Sequence, residues 1–294
     1  MKRILLGSLI LSILLLAGCN GGGKASSSAA DPSKASSSAA DPSKPSSSAA
    51  DPAKTSRYGT VQTTSYRLTY LKLIDADDDL STAVLFFHGN PPEDSPWVKK
   101  IIAENTGTFD LLEGIHKRFN VPVFAIARPG FNGSSGRYSA DNTYSKKAVA
   151  ELKEAIEFLK NTYGIGKFRI FGFSAGATVS AELALVYPEL FNNAVLFDGS
   201  YDTNKWLRLR RKSHLGHFNL NSVATAKDMQ SNPLPFSLFY STKSKEFYEV
   251  IAKDFYEVLS GKVPSVEMLP AKGGHYVFFE DKQVLEAVLT ELMK

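Results

Sequence analysis

A single cysteine, Cys19, occurs in 294 residues, so no disulfide forms within this chain, whatever compartment it occupies. Histidine is scarce, at five, which leaves few candidates for a general base. The formal net charge is only +4, and Lys2 and Arg3 supply two of those charges within a segment expected to be removed. The remainder is close to neutral and lacks the basic excess of nucleic-acid-binding proteins, so no nucleic acid is expected as a partner. The apolar stretch 4–16 falls short of the about 20 residues that a membrane-spanning helix needs. Core-forming residues, by contrast, are plentiful: 43% of the chain is hydrophobic and 11% aromatic, enough for one large α/β domain with appendages.

The N-terminus has the three parts of a secretory signal: the positive pair Lys2-Arg3, an apolar stretch, and the small-residue end Leu16-Ala17-Gly18-Cys19. That end resembles the bacterial lipobox, in which the cysteine is lipidated and becomes the first residue of the mature chain. The resemblance implies a signal peptide at 1–18, lipidation of Cys19, and a membrane partner reached through the lipid anchor. It places the protein in the bacterial cell envelope. Asn20 is not Asp, so the enteric inner-membrane retention signal is absent, which favours the outer membrane or the cell surface. Residues 24–33, 34–43 and 44–53 then repeat, each carrying Ser-Ser-Ser-Ala-Ala-Asp-Pro. A solenoid needs apolar residues to stack, and these repeats offer only alanine. Residues 19–56 are therefore expected to form a disordered tether with an end-to-end distance on the order of 30 Å.

From residue 57 onward, apolar runs alternate with helical periodicity. Strands are expected over 60–64 and 66–73 as an antiparallel hairpin, then over 83–87, 121–127, 168–171, 193–197, 236–240 and 263–269. Helices are expected over 108–119, 143–162, 177–187, 245–259 and 281–293. This alternation predicts a mostly parallel sheet of eight strands covered by helices on both faces. Residues 201–232 break the rhythm and carry the basic run Trp206-Leu207-Arg208-Leu209-Arg210-Arg211-Lys212, read as a solvated face. His214 and His217 lie close together but have no third ligand, so no metal site is expected.

The chemistry centres on Gly172-Phe173-Ser174-Ala175-Gly176, set between a strand and a helix. A serine on such a strained turn stands exposed above the sheet, and the flanking glycines let strand and helix approach. The pentapeptide resembles the nucleophile elbow of the α/β-hydrolase family, and the resemblance covers about 60–294. It implies the α/β-hydrolase fold with a small cap insertion at about 201–232, Ser174 as nucleophile, and His275 of Gly273-Gly274-His275-Tyr276 as its base. It also implies oxyanion donors at the backbone of Asn90, in His88-Gly89-Asn90-Pro91-Pro92, and of Ala175. His88 itself is read as a brace for that loop. Arg128-Pro129-Gly130-Phe131-Asn132-Gly133-Ser134 resembles a loop after the fourth strand of many members, and is read as a turn packed beneath the site.

The third triad member departs from the family's usual pattern. Where a carboxylate is expected after the seventh strand, the chain has Ser241-Thr242-Lys243-Ser244. Asp198, at the end of the strand after the elbow, is the first candidate acid; Glu246 is the alternative, and Asp202 or no acid remain open. The reading is a serine carboxylesterase-type hydrolase that needs no cofactor and cleaves a small-molecule ester through an acyl-serine. A peptidase or amidase of the same fold, and a non-catalytic binding lipoprotein, are the alternatives.

Overall fold

The fold is that of a computed structural model, which describes residues 56–91, 96–137, 144–211, 218–246 and 248–294. The signal segment, Cys19, most of the repeat tether, Lys212, and the pair His214 and His217 lie outside the described residues.

Strand β1 (Tyr58–Gln62) pairs antiparallel with β2 (Arg67–Leu73), which pairs antiparallel with β4 (Val123–Ile126). From there the pairing is parallel through β3 (Thr82–Phe87), β5 (Lys167–Phe173), β6 (Phe191–Phe197), β7 (Phe236–Ser241) and β8 (Val266–Ala271). Among the described residues the order is β1-β2-β4-β3-β5-β6-β7-β8. Parallel strands need long crossovers, and helices fill them: α1 (Gly107–Phe119), α2 (Lys146–Tyr163), α3 (Ala175–Val186), α6 (Tyr248–Leu259) and α8 (Lys282–Met293) are the long ones. Two short helices, α4 (Thr203–Leu209) and α5 (Ser222–Asp228), occupy the segment between β6 and β7. A third, α7 (Val277–Glu280), precedes α8.

The period-2 geometry of a strand sends alternate side chains to opposite faces, and the central strands show it. Ala83, Leu85 and Phe87 of β3 join one core with Leu152 and Ile156 of α2, Leu183 of α3, and Ile251 and Phe255 of α6. Val84 and Phe86 join the other with Leu112 and Ile115 of α1 and Val288 and Leu292 of α8. Both faces are thus dry, which explains why these strands read as continuous apolar runs rather than as alternation.

Of the boundaries that differ from the sequence expectation, three have a plain physical reason. The fourth strand was expected over 121–127 but its ladder starts at Val123, since Pro122 has no N–H to give and contributes only its carbonyl, to Val84. The eighth lies three residues later than expected at its start. Gly261 turns the chain with φ 83°, and Ser265 is the residue whose carbonyl meets Phe236 N–H, so pairing opens at Val266. Pro270 is tolerated there because, among the described residues, β8 pairs only with β7 and stands at the edge of the sheet. Helix α2 begins at Lys146, where the Ser145 side chain caps it by accepting from Ala148 N–H, rather than at 143.

Candidate active site

Parallel strands deliver their carboxyl ends to one edge of the sheet, and the residues following β3, β5, β6, β7 and β8 meet there. Ser174 follows β5 with φ 56° and ψ −121°, a left-handed conformation that a side chain rarely adopts. The turn is this tight because α3 doubles back onto the strands. A Cβ on Gly172 would lie 2.6 Å from Ala177 Cα, and one on Gly176 would lie 2.0 Å from the carbonyl oxygen of Phe87. Only glycine permits either approach. The Ser174 N–H donates to Phe197 at 2.8 Å, which anchors the strained residue to β6.

His275 arrives from the loop between β8 and α7. Its Nε2 lies 3.0 Å from Ser174 Oγ, and its Nδ1 lies 2.8 Å from Asp198 Oδ2. With Nδ1 donating to the carboxylate, Nε2 presents its lone pair to the serine hydroxyl. Asp198, the first residue after β6, has φ 55° and a side chain shielded from solvent. Both of its oxygens are held: Ser241 N–H donates to Oδ1 at 2.7 Å and Ser241 Oγ donates to Oδ2 at 2.6 Å. A buried carboxylate requires such partners to stay charged.

Ser241 accounts for the missing carboxylate. The end of β7 supplies two donors where the usual pattern supplies a charge, and the charge comes from β6 instead. The other two carboxylates are engaged elsewhere. Glu246 pairs with Arg210, and Asp202 caps α4 by accepting from Lys205 N–H at 2.8 Å.

The imidazole of His275 stacks on Phe173, with centroids 4.8 Å apart and an angle of 30°, and on Tyr248, at 5.0 Å and 16°. Both rings restrict the rotation of the imidazole. Phe173 is one of the two variable residues of the elbow pentapeptide, and Tyr248 opens α6; sequence reading singled out neither for this role. An apolar residue inside the pentapeptide was the one available signal.

Beneath the loop after β3, Arg128 is buried and reaches upward. Its Nη2 donates to the His88 carbonyl at 2.9 Å and to Asn90 Oδ1 at 2.6 Å, and its guanidinium lies over the Phe131 ring at 5.0 Å. His88 is buried as well, with Nδ1 2.8 Å from its neighbour's Gly89 carbonyl. Burial, together with the positive charge of Arg128, holds its pKa well below the usual imidazole value. It is therefore neutral and donates from Nδ1, a brace for the loop that carries Asn90. Ala175 opens α3, where the first N–H groups have no intrahelical acceptor. Among the described residues no group of three His, Cys, Asp or Glu side chains is placed to hold a metal ion.

A mostly parallel sheet with a strained serine at the end of its central strand, followed at once by a helix, defines the nucleophile-elbow class of α/β proteins. The sequence profile described as alpha/beta hydrolase fold matches residues 82–230, and the chain belongs to that family. Esterase Pf2001 of Pyrococcus furiosus superposes with a TM-score of 0.62 at 18% identity, covering 80% of this chain and 92% of the esterase. Est1E of Butyrivibrio proteoclasticus, solved with ferulic acid bound, gives 0.57 at 10% identity over 80% and 100% of the two chains. A thioesterase domain from the curacin biosynthetic pathway gives 0.54 at 13% identity over 81% and 99%. These likenesses show the shared fold. No curated protein matches the chain.

Proposed function

We propose that this protein is a serine hydrolase that cleaves carboxylic esters through an acyl-Ser174 intermediate. The observation that carries the reading is the unbroken hydrogen-bonded line from Ser174 Oγ through His275 to Asp198. Serine is a weak nucleophile at neutral pH and needs a base in contact to act. Ser174 Oγ attacks the acyl carbon while its proton passes to His275 Nε2. The oxyanion that forms is stabilised by the backbone N–H groups of Ala175 and Asn90, each such donor being worth about 3 kcal/mol. His275 then gives its proton to the leaving alkoxide as the ester bond breaks. Water repeats the sequence on the acyl-enzyme, releasing the carboxylic acid and restoring Ser174. Asp198 holds the Nδ1–H tautomer and stabilises the imidazolium, without taking the proton itself. The esterase and thioesterase named among the structural neighbours support the choice of acyl transfer, although on fold alone.

The same proposal places the enzyme in the bacterial envelope, lipidated at Cys19 and carried on the 19–56 tether. The lipobox-like Leu16-Ala17-Gly18-Cys19 and the repeats support it. Two labels test the two halves. A fluorophosphonate probe should label the wild type and not Ser174→Ala; a folded wild type left unlabelled would sink the hydrolase reading. Radiolabelled palmitate should enter the wild type and not Cys19→Ala, and equal incorporation would remove the anchor.

A further inference from the structure

His275 meets the substrate as well as Ser174. As general acid it passes its proton to the leaving alkoxide, so the alcohol oxygen of the ester must come within about 3 Å of Nε2. Whatever stands beside the imidazole and faces solvent therefore meets the alcohol part. Among the described residues three aromatic rings lie against that imidazole: Phe173 and Tyr248 stacked on it, and Tyr276 at 5.1 Å and an angle of 64°. The first two are buried, at 5% and 4% exposure, and have almost no surface to offer. Tyr276 is 52% exposed, and the His275 side chain keeps 20% of its own surface open. A lone exposed aromatic residue is ordinary on a protein surface; this one differs in lying against the general acid. Its position is also fixed. Tyr276 precedes α7 with its carbonyl accepting from Phe279 N–H at 2.9 Å, and its ring leans on Phe173 at 5.6 Å and 54°. A ring already held in place loses little entropy when a ligand packs on its open side.

We propose that Tyr276 is a specificity residue for the alcohol part of the ester, its exposed ring receiving an aryl or arylalkyl group on the leaving alcohol. The inference rests on Ser174 and His275 acting as nucleophile and base. An aromatic group on the alcohol gains an edge-to-face or offset-stacked pair with the ring in addition to burial, whereas an alkyl group gains burial alone. The contact acts on acylation only. It is made while the alcohol is attached, and it is gone once the alcohol has left and water takes its place at Nε2. The acyl group, in contrast, stays on Ser174 through both steps, so a ring that read the acyl chain would act on both. Discrimination of this kind appears in kcat/KM, which compares the free enzyme and ester with the transition state for acylation.

Benzyl acetate and ethyl acetate share an acyl group and have alcohols of similar acidity, so the ratio of their kcat/KM values reads the alcohol contact. The wild type should prefer benzyl acetate, and Tyr276→Ala should lower the ratio roughly 3- to 10-fold. Tyr276→Phe keeps the ring and should keep the preference. A wild type without the preference, or a Tyr276→Ala ratio within about twofold of the wild type, would overturn the proposal. Loss of the preference in Tyr276→Phe would assign it to the phenol hydroxyl and count against the ring. Benzyl butyrate compared with benzyl acetate reads the acyl side; a larger change there than in the alcohol ratio would place the ring on the acyl chain and also refute the proposal. Should Tyr276→Ala not fold, Tyr276→Leu gives the same reading, being apolar but without an aromatic face. A wild type that the fluorophosphonate probe leaves unlabelled and that cleaves neither ester fails at the nucleophile. A labelled wild type that shows no ring-dependent ratio fails at Tyr276 alone.

Discussion

Asp198 carries a negative charge with almost no contact with water, and four features keep it there: two bonds from Ser241, one from His275, and a backbone anchored by its N–H to the Phe239 carbonyl at 2.9 Å. Glu246 lies nearer in sequence to the usual acid position, but it is occupied by Arg210, which also lies over Trp206 at 5.0 Å. The two carboxylates should therefore behave differently on removal of charge. Asp198→Asn retains the shape but presents the wrong hydrogen-bonding group to Nδ1, and kcat should fall roughly 10²- to 10⁴-fold, as mutation of a triad acid does elsewhere. Glu246→Gln should keep kcat within about threefold. Turnover of p-nitrophenyl acetate by both variants checks this, and a reversed order would reassign the acid to Glu246.

Among the elements, α3 is the one on which the site depends. It is buried along nearly its whole length, and it lies close to β5, β6 and β3 at once. Its N-terminal turn carries Ser174 and Ala175, and its far end is tied to the segment between β6 and β7. There the buried Glu182 carboxylate accepts from Ser222 Oγ at 2.9 Å and from Thr225 Oγ1 at 2.7 Å, both on α5. Glycine positions show how tolerant each helix is. Gly176→Ala drives a Cβ into backbone of β3 that has no room to yield, and should destabilise the fold by about 3 kcal/mol or more and abolish labelling of Ser174. Gly114 of α1 faces open space within a regular helix, and Gly114→Ala should stabilise by about 0.5–1 kcal/mol. Urea denaturation midpoints of the two variants should move in opposite directions.

At the scale of the whole molecule, the buried histidine under the site links folding to pH. His88 is neutral in the folded protein, with its pKa depressed by burial and by Arg128. Above its ordinary value of 6.5 the unfolded chain also holds it neutral, and its contribution to stability is constant. Below that, the unfolded state takes up a proton that the folded state does not, so stability falls as pH drops. The slope from this one group reaches about 1.4 kcal/mol per pH unit until His88 itself protonates in the folded protein. Urea unfolding between about pH 7 and pH 5 should show that slope, reduced in His88→Gln. An unchanged slope in that variant would assign the acid sensitivity to other groups.

Local signals in the sequence determined a great deal here. Continuous apolar runs such as Ala83-Val84-Leu85-Phe86-Phe87 can be buried only on both faces, and the 3.6-residue spacing of Ala148, Leu152, Ile156 and Leu159 suits only a helix laid on such a sheet. The glycines around Ser174 marked the tight turn, since backbone geometry there is written in neighbouring residues. Where a strand ends was harder to read, as with Val266 and Val123, because ladder bonds depend on the partner strand. Tertiary structure alone decided which carboxylate reaches His275. Asp198, Glu246 and Asp202 all lie on the right edge of the sheet by order, and only the folded loops show one of them against the imidazole, one against Arg210 and one capping α4. The partners of Ser241, Arg128 and Tyr248 escaped the sequence for the same reason, although the loop that carries Arg128 was expected beneath the site. Each acts on a residue 27 or more positions away, across strands whose convergence no local pattern records.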